Sequence, residues 1–207
     1  MKNSTIAIAV LMTVLSLRIF AEAPAEGLVI EGVSVPGVAL GDSRSQVNAE
    51  YGSPLFCQST SIAGNRGSCS YRVAQGGQVN VVFEDESGSP ATGLDSDRVS
   101  IIRWNELVTG WVTTENITAD FALASPESVA AVYPDAIVFV SDFFGIARIV
   151  DEARGINISR HMDFYGGTLH VSMSIFEPRE PTLEPPEEEV NPGNGNGGKK
   201  GKNKGKK

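Results

Sequence analysis

In the stretch Leu169-His170-Val171-Ser172-Met173-Ser174-Ile175, apolar and polar residues alternate without a break. A period of two is that of a β-strand, so Leu169, Val171, Met173 and Ile175 are expected on one face, and His170, Ser172 and Ser174 on the other. The same alternation sets Val79, Val81 and Phe83 on one face of QVNVVFED, with Gly76-Gly77 as the turn separating it from CSYRVA. DRVSIIRW completes this first series. In the second half GIARIVDE, ISRHMDF and TLHVSMSIF form another, with Gly166-Gly167 marking the last turn.

Each series follows a helix signal. In GVALGDSRSQVNAEYGSP, residues 37–54, Ser43 precedes Gln46 by three positions, the spacing of a capping box in which each side chain bonds the other residue's backbone N–H. Val47 and Tyr51 continue an apolar face at helical spacing, and Gly52 and Pro54 end it. In SPESVAAVYPD, Ser125 is the N-cap, Pro126 takes the first helical position, Val129 and Tyr133 are four apart, and Pro134 is the stop. A shift of 82 residues superposes Ser43, Val47 and Tyr51 on Ser125, Val129 and Tyr133. The pattern predicts an α+β fold. Two tandem units, about 28–104 and 111–176, each a helical element plus an antiparallel meander, would form one sheet with helices on one side, as a single duplicated domain over residues 28–176.

The glycine, small residue, x-x-Val and Gly-x-Pro spacing of residues 37–54 resembles the start of units in the SmpA/OmlA outer-membrane assembly lipoproteins and the beta-lactamase inhibitory protein family. The duplicated plan and a disulfide closing a short loop after the first helix also resemble the inhibitor. The resemblance implies that the exposed face of the sheet binds another protein. Two departures accompany it: no cysteine is placed to accept a lipid, and the second unit has no disulfide. No interface residue carries over by position.

Both ends of the chain differ from this body. Lys2, an apolar run from Ile6 to Leu17 and small residues at Ala21 and Ala23 read as a secretory signal over residues 1–21, because a lasting membrane span needs about 20 apolar residues. Cys57 and Cys69 are the only cysteines, and in an exported chain they are expected to form a disulfide across the loop QSTSIAGNRGS. Residues 177–192, EPREPTLEPPEEEVNP, carry six acids, one arginine and five prolines, the composition of an extended acidic linker. Residues 193–207 contain only Gly, Asn and Lys and cannot build a packed core.

Charge separates these parts further. The whole chain has a formal charge of −8, residues 24–176 hold eight arginines against eighteen acids, and no lysine lies between Lys2 and Lys199. Lys199, Lys200, Lys202, Lys204, Lys206 and Lys207 thus form a tail suited to a polyanion such as lipopolysaccharide, acidic polysaccharide, nucleic acid or anionic lipid. The tail could equally fold back on its own acidic linker.

Little in the sequence points to catalysis. Gly41-Asp42-Ser43 resembles the opening of GDSL esterases, and Gly64-Asn65 imitates their middle block. That family also places an Asp three residues before its histidine, whereas His161 and His170 follow Ile158 and Gly167. A capping role for Ser43 accounts for Gln46 as well. Two histidines without a suitably spaced cysteine pair predict no transition-metal site, and FEDESGSPATGLDSDR lacks the order of a calcium loop. No cofactor is expected. Among Trp104, Trp111, Phe143, Phe144 and Tyr165, all near strand ends, Trp111 and Tyr165 are read as the exposed partner contacts. The expectation is therefore an exported, non-catalytic module, periplasmic or extracellular, that binds an envelope or extracellular protein through its sheet. Retention on a polyanionic surface through the tail is the alternative, and a GDSL-like hydrolase the third.

Overall fold

The computed structural model describes residues 21–59, 67–89, 91, 93–143, 145–163 and 167–180. Residues 1–20, the linker from residue 181 onward and the whole lysine tail lie outside them. In chain order the elements are β1 (Glu26–Val29), β2 (Ser34–Val35), β3 (Val38–Ala39), α1 (Arg44–Tyr51), β4 (Phe56–Ser59), β5 (Gly67–Arg72), β6 (Gln78–Glu84), β7 (Arg98–Asn105) and β8 (Gly110–Thr113). There follow α2 (Ala119–Ala124), α3 (Pro126–Val132), β9 (Ile137–Ser141), β10 (Gly145–Asp151), β11 (Ile156–Met162) and β12 (Leu169–Phe176).

The fold is mostly β, which corrects the expected α+β arrangement of two helix-plus-meander units: strands take 46% of the described residues, and the three short helices 14%. The helical signals at Ser43 and Ser125 support only eight and seven residues, since Gly52 and Pro134 end the elements early. Two segments that carry no clean alternation, β4 and β9, join the sheet as its outer strands. The result is one eight-stranded antiparallel sheet in the order β4-β5-β6-β7-β12-β11-β10-β9. At its centre β7 meets β12, with Trp104 opposite Met173 and Ile102 opposite Ile175.

Alternation divides the sheet into two faces. Tyr71, Val79, Val81, Phe83, Ile102, Trp104, Ile149, Ile156, Ile158, Val171, Met173 and Ile175 are buried on one, in a single hydrophobic cluster shared with Val47, Tyr51, Val129 and Tyr133 of the helical segments. Tyr51 meets Tyr71 edge-on and donates its hydroxyl to Pro36 O at 2.6 Å. Arg44 enters the same layer from α1. Its guanidinium lies 4.1 Å from the Phe83 ring centroid, donates to Cys69 Sγ at 2.9 Å, and pairs with the buried Asp97 carboxylate at 3.2 Å.

The N-terminal segment is built into the core. β1 runs parallel to β8, Ala23 is fully buried and bridges to Val73, and Trp111 donates its indole N–H to Pro24 O at 2.8 Å. Gly110 permits this approach: a Cβ there would lie 2.2 Å from Ala25 O.

Candidate binding surface

The other face of the sheet has no helix over it among the described residues. Register assigns its rows. One runs Phe56, Ser70, Asn80, Arg103, Ser174, Asn157, Val150, Ile137 across all eight strands, polar in its middle and apolar at both ends. The next runs Asn105, Ser172, Ser159, Arg148, Phe139 across β7, β12, β11, β10 and β9. Small hydroxyl and amide residues form the floor, stitched by Asn80 Nδ2 to Ser70 Oγ at 3.2 Å and Asn157 Nδ2 to Ser174 Oγ at 3.1 Å. Ser70 and Ser174 are themselves buried. Above this floor Arg103 and Arg148 are exposed. Arg148 donates Nε–H to Asn157 Oδ1 at 2.7 Å and sits 5.7 Å from the Phe139 ring centroid, while Arg103 has no hydrogen bond or ion pair with a described residue.

A titratable cluster closes one margin of this face. His161 and His170 stand opposite each other on β11 and β12, with ring centroids 5.8 Å apart. Glu106, in the turn after β7, accepts from His170 Nδ1 at 2.6 Å and from the Val171 N–H at 3.1 Å, and Asp163 Oδ2 lies 3.7 Å from His170 Nε2. The Glu106 hydrogen bond holds the His170 imidazolium above the ordinary histidine range, with burial opposing and Asp163 adding to the rise. For Glu106, burial works to raise the carboxyl, and the His170 and backbone hydrogen bonds outweigh it, leaving the group below the usual glutamate range. Among the described residues no group of three or more His, Cys, Asp or Glu side chains is placed to hold a metal ion.

The residues singled out in the sequence are distributed unevenly. Cys57 and Cys69 are bonded, directly opposite each other on β4 and β5. Ser43 is the N-cap of α1 with both halves of the capping box formed, at 3.3 Å to the Gln46 N–H and 2.7 Å from its own N–H to Gln46 Oε1. Trp111 corrects an expectation: it is fully buried against Trp104 and tied to Pro24, so it presents nothing to a partner. A strand of only four residues, joined to the N-terminal segment by a parallel pairing, turns its indole inward where strand-end position suggested exposure. Tyr165, Phe144 and the six tail lysines lie outside the described residues. Phe143 is 91% exposed at the end of β9.

Sequence reading missed the arginine rows altogether. The signal available was the offset of Arg103 and Arg148 by one position from the buried residues Trp104 and Ile149, which places each on the wet face of its strand. No protein-family model matches the chain, and no curated protein or solved structure matches it.

Proposed function

We propose that the protein is an exported, non-catalytic binding module that engages another protein through the uncovered face of its eight-stranded sheet. The observation that carries this reading is the face itself: a sheet whose helices and N-terminal strap lie on the core side leaves a floor that is polar across its middle strands and apolar at Phe56, Val82, Ile101, Val150 and Ile137, with two outward arginines and a histidine pair above it. The resemblance of residues 37–54 to protein-binding families supports it. A disulfide, and the absence among the described residues of any helix long and apolar enough to cross a membrane, are compatible with export.

A second reading rests on the six lysines within residues 199–207, which suit a polyanionic surface. Affinity capture from an envelope extract separates the two. The full-length chain, a chain ending at Pro192 and the face variant Ser172→Trp are each compared at low and high salt, with circular dichroism confirming the fold. A defined protein retained by the first two at high salt and lost with Ser172→Trp supports the binding module. Capture that ignores Ser172→Trp but disappears with the tail or with salt assigns the function to the lysines instead.

A further inference from the structure

The uncovered face and the body around it carry opposite charge. Residues 24–176 hold eighteen acids, yet among the described residues the strands themselves place one on the uncovered face, Glu84, opposite Arg98 at one end of β6 and β7, while Glu106 and Asp163 stand at the margin against His170. Four of the eight body arginines, Arg72, Arg98, Arg103 and Arg148, fall on this face together with His161 and His170. Arg98 is committed to Gly41 O and Arg72 lies 3.8 Å from Glu22, so both serve the rim. Arg103 and Arg148 stand over the floor.

Their spacing defines a ligand. Between them lie three strand-to-strand steps and an offset of two residues along the strand, about 16 Å in all, filled by Ser172, Ser174, Asn157 and Ser159. An extended polypeptide advances about 3.3 Å per residue, so side chains four positions apart and on the same face span about 13 Å, and the long arginine side chains cover the remainder. Guanidinium forks match carboxylates in a bidentate geometry, and the serine and asparagine groups between them can bond a peptide backbone. Each exposed ion pair alone contributes little, which favours a ligand that engages both arginines at once.

We propose that the partner contacts this face through an acidic polypeptide segment lying across the strands, with carboxylates about four residues apart seated on Arg103 and Arg148. This rests on the reading of the face as a protein-binding surface and adds the chemistry of what binds. A sulfated polysaccharide shares the negative charge but not the extended-peptide spacing.

The test is a titration of the full-length, isotopically labelled chain, followed through its amide resonances, with a synthetic peptide bearing glutamates at four-residue spacing, its glutamine analogue, and heparin. The expected result is saturable shifts in β7, β10, β11 and β12 with the glutamate peptide alone, weakened about tenfold in Arg103→Gln/Arg148→Gln. Shifts confined to the tail, equal binding of the glutamine analogue, or tighter binding of heparin on the same strands would each overturn the proposal. The same double variant in the envelope capture separates the two levels. A partner lost with Ser172→Trp but retained by Arg103→Gln/Arg148→Gln leaves the protein-binding reading intact and removes the acidic segment. A partner indifferent to both sets of substitutions removes the reading itself.

Discussion

Glu106 and His170, 64 residues apart in the chain, share a 2.6 Å hydrogen bond that ties the turn after β7 to the start of β12. The two groups shift in opposite directions, His170 upward and Glu106 downward, so each is stabilised in its charged form by the fold.

Linkage fixes how this pair responds to pH. His170 contributes stability that is complete below its unfolded pKa and is lost as pH rises through its higher folded value. Glu106 contributes stability above its unfolded pKa that is lost as pH falls through its lower folded value. The pair therefore acts fully between the two unfolded values, from the glutamate to the histidine range. Histidine resonances followed against pH should give His170 a pKa above 6.5, the ordinary value, and Glu106→Gln should bring it back down. A His170 that titrates unchanged in Glu106→Gln would show that this hydrogen bond does not set its charge.

Ser43 makes a helix cap, and its loss should read as lost stability. Ser43→Ala removes the bond to the Gln46 N–H and should destabilise the fold by about 0.5–2 kcal/mol in urea unfolding. Restoration of most of that loss by Ser43→Asp would confirm the capping role, since aspartate supplies the same acceptor at the same position.

Arg44 and Asp97 are both buried, and neither can be removed alone without stranding the other's charge. Asp97→Ala should cost roughly 3–5 kcal/mol, more than any single substitution on the uncovered face. The double variant Arg44→Met/Asp97→Ala should recover part of it, because the uncompensated guanidinium is then gone. Additive losses in the double-mutant cycle would count against a direct coupling.

Ala23 decides where processing can occur without damage to the core. Its N–H donates to Arg72 O at 2.9 Å and its carbonyl accepts from Ala74 N–H at 2.8 Å, so a cut after Ala23 would delete both bonds, whereas a cut after Ala21 keeps them. If the leader expected over residues 1–21 is removed, intact-mass measurement of the processed chain should find Glu22 as the first residue. A chain beginning at Pro24 and still fully stable would contradict this assignment.

The features legible in the sequence are those set by local rules. The capping box at Ser43, the inward face of Val79, Val81 and Phe83, and the burial of Val171, Met173 and Ile175 all follow from spacings of two, three or four residues. Ser125 shows where such rules stop: it precedes α3 without a side-chain cap bond and at the same time ends α2, a helix with no apolar periodicity long enough to announce it. β9 reads Ile-Val-Phe-Val, a composition expected in the interior, yet it is the outer strand and exposed on both faces. Its position depends on which strand pairs with which, and local sequence carries no such information. Trp111 was hidden for the same reason, its partner Pro24 being 87 residues away. The uncovered face lay between these cases. Alternation located its residues strand by strand, but their assembly into rows required the β7–β12 pairing.

That parallel pairing of β1 with β8 also imposes an order in time. Residues 26–29 have no strand to join until residues 110–113 are present, so the end of the chain that is made first is seated late. Until then the early half is a sheet fragment missing part of its strap: Ala23 has its partner Val73, but Val29 lacks the strand it pairs with. Closure of the core therefore waits until more than half of the chain has been made.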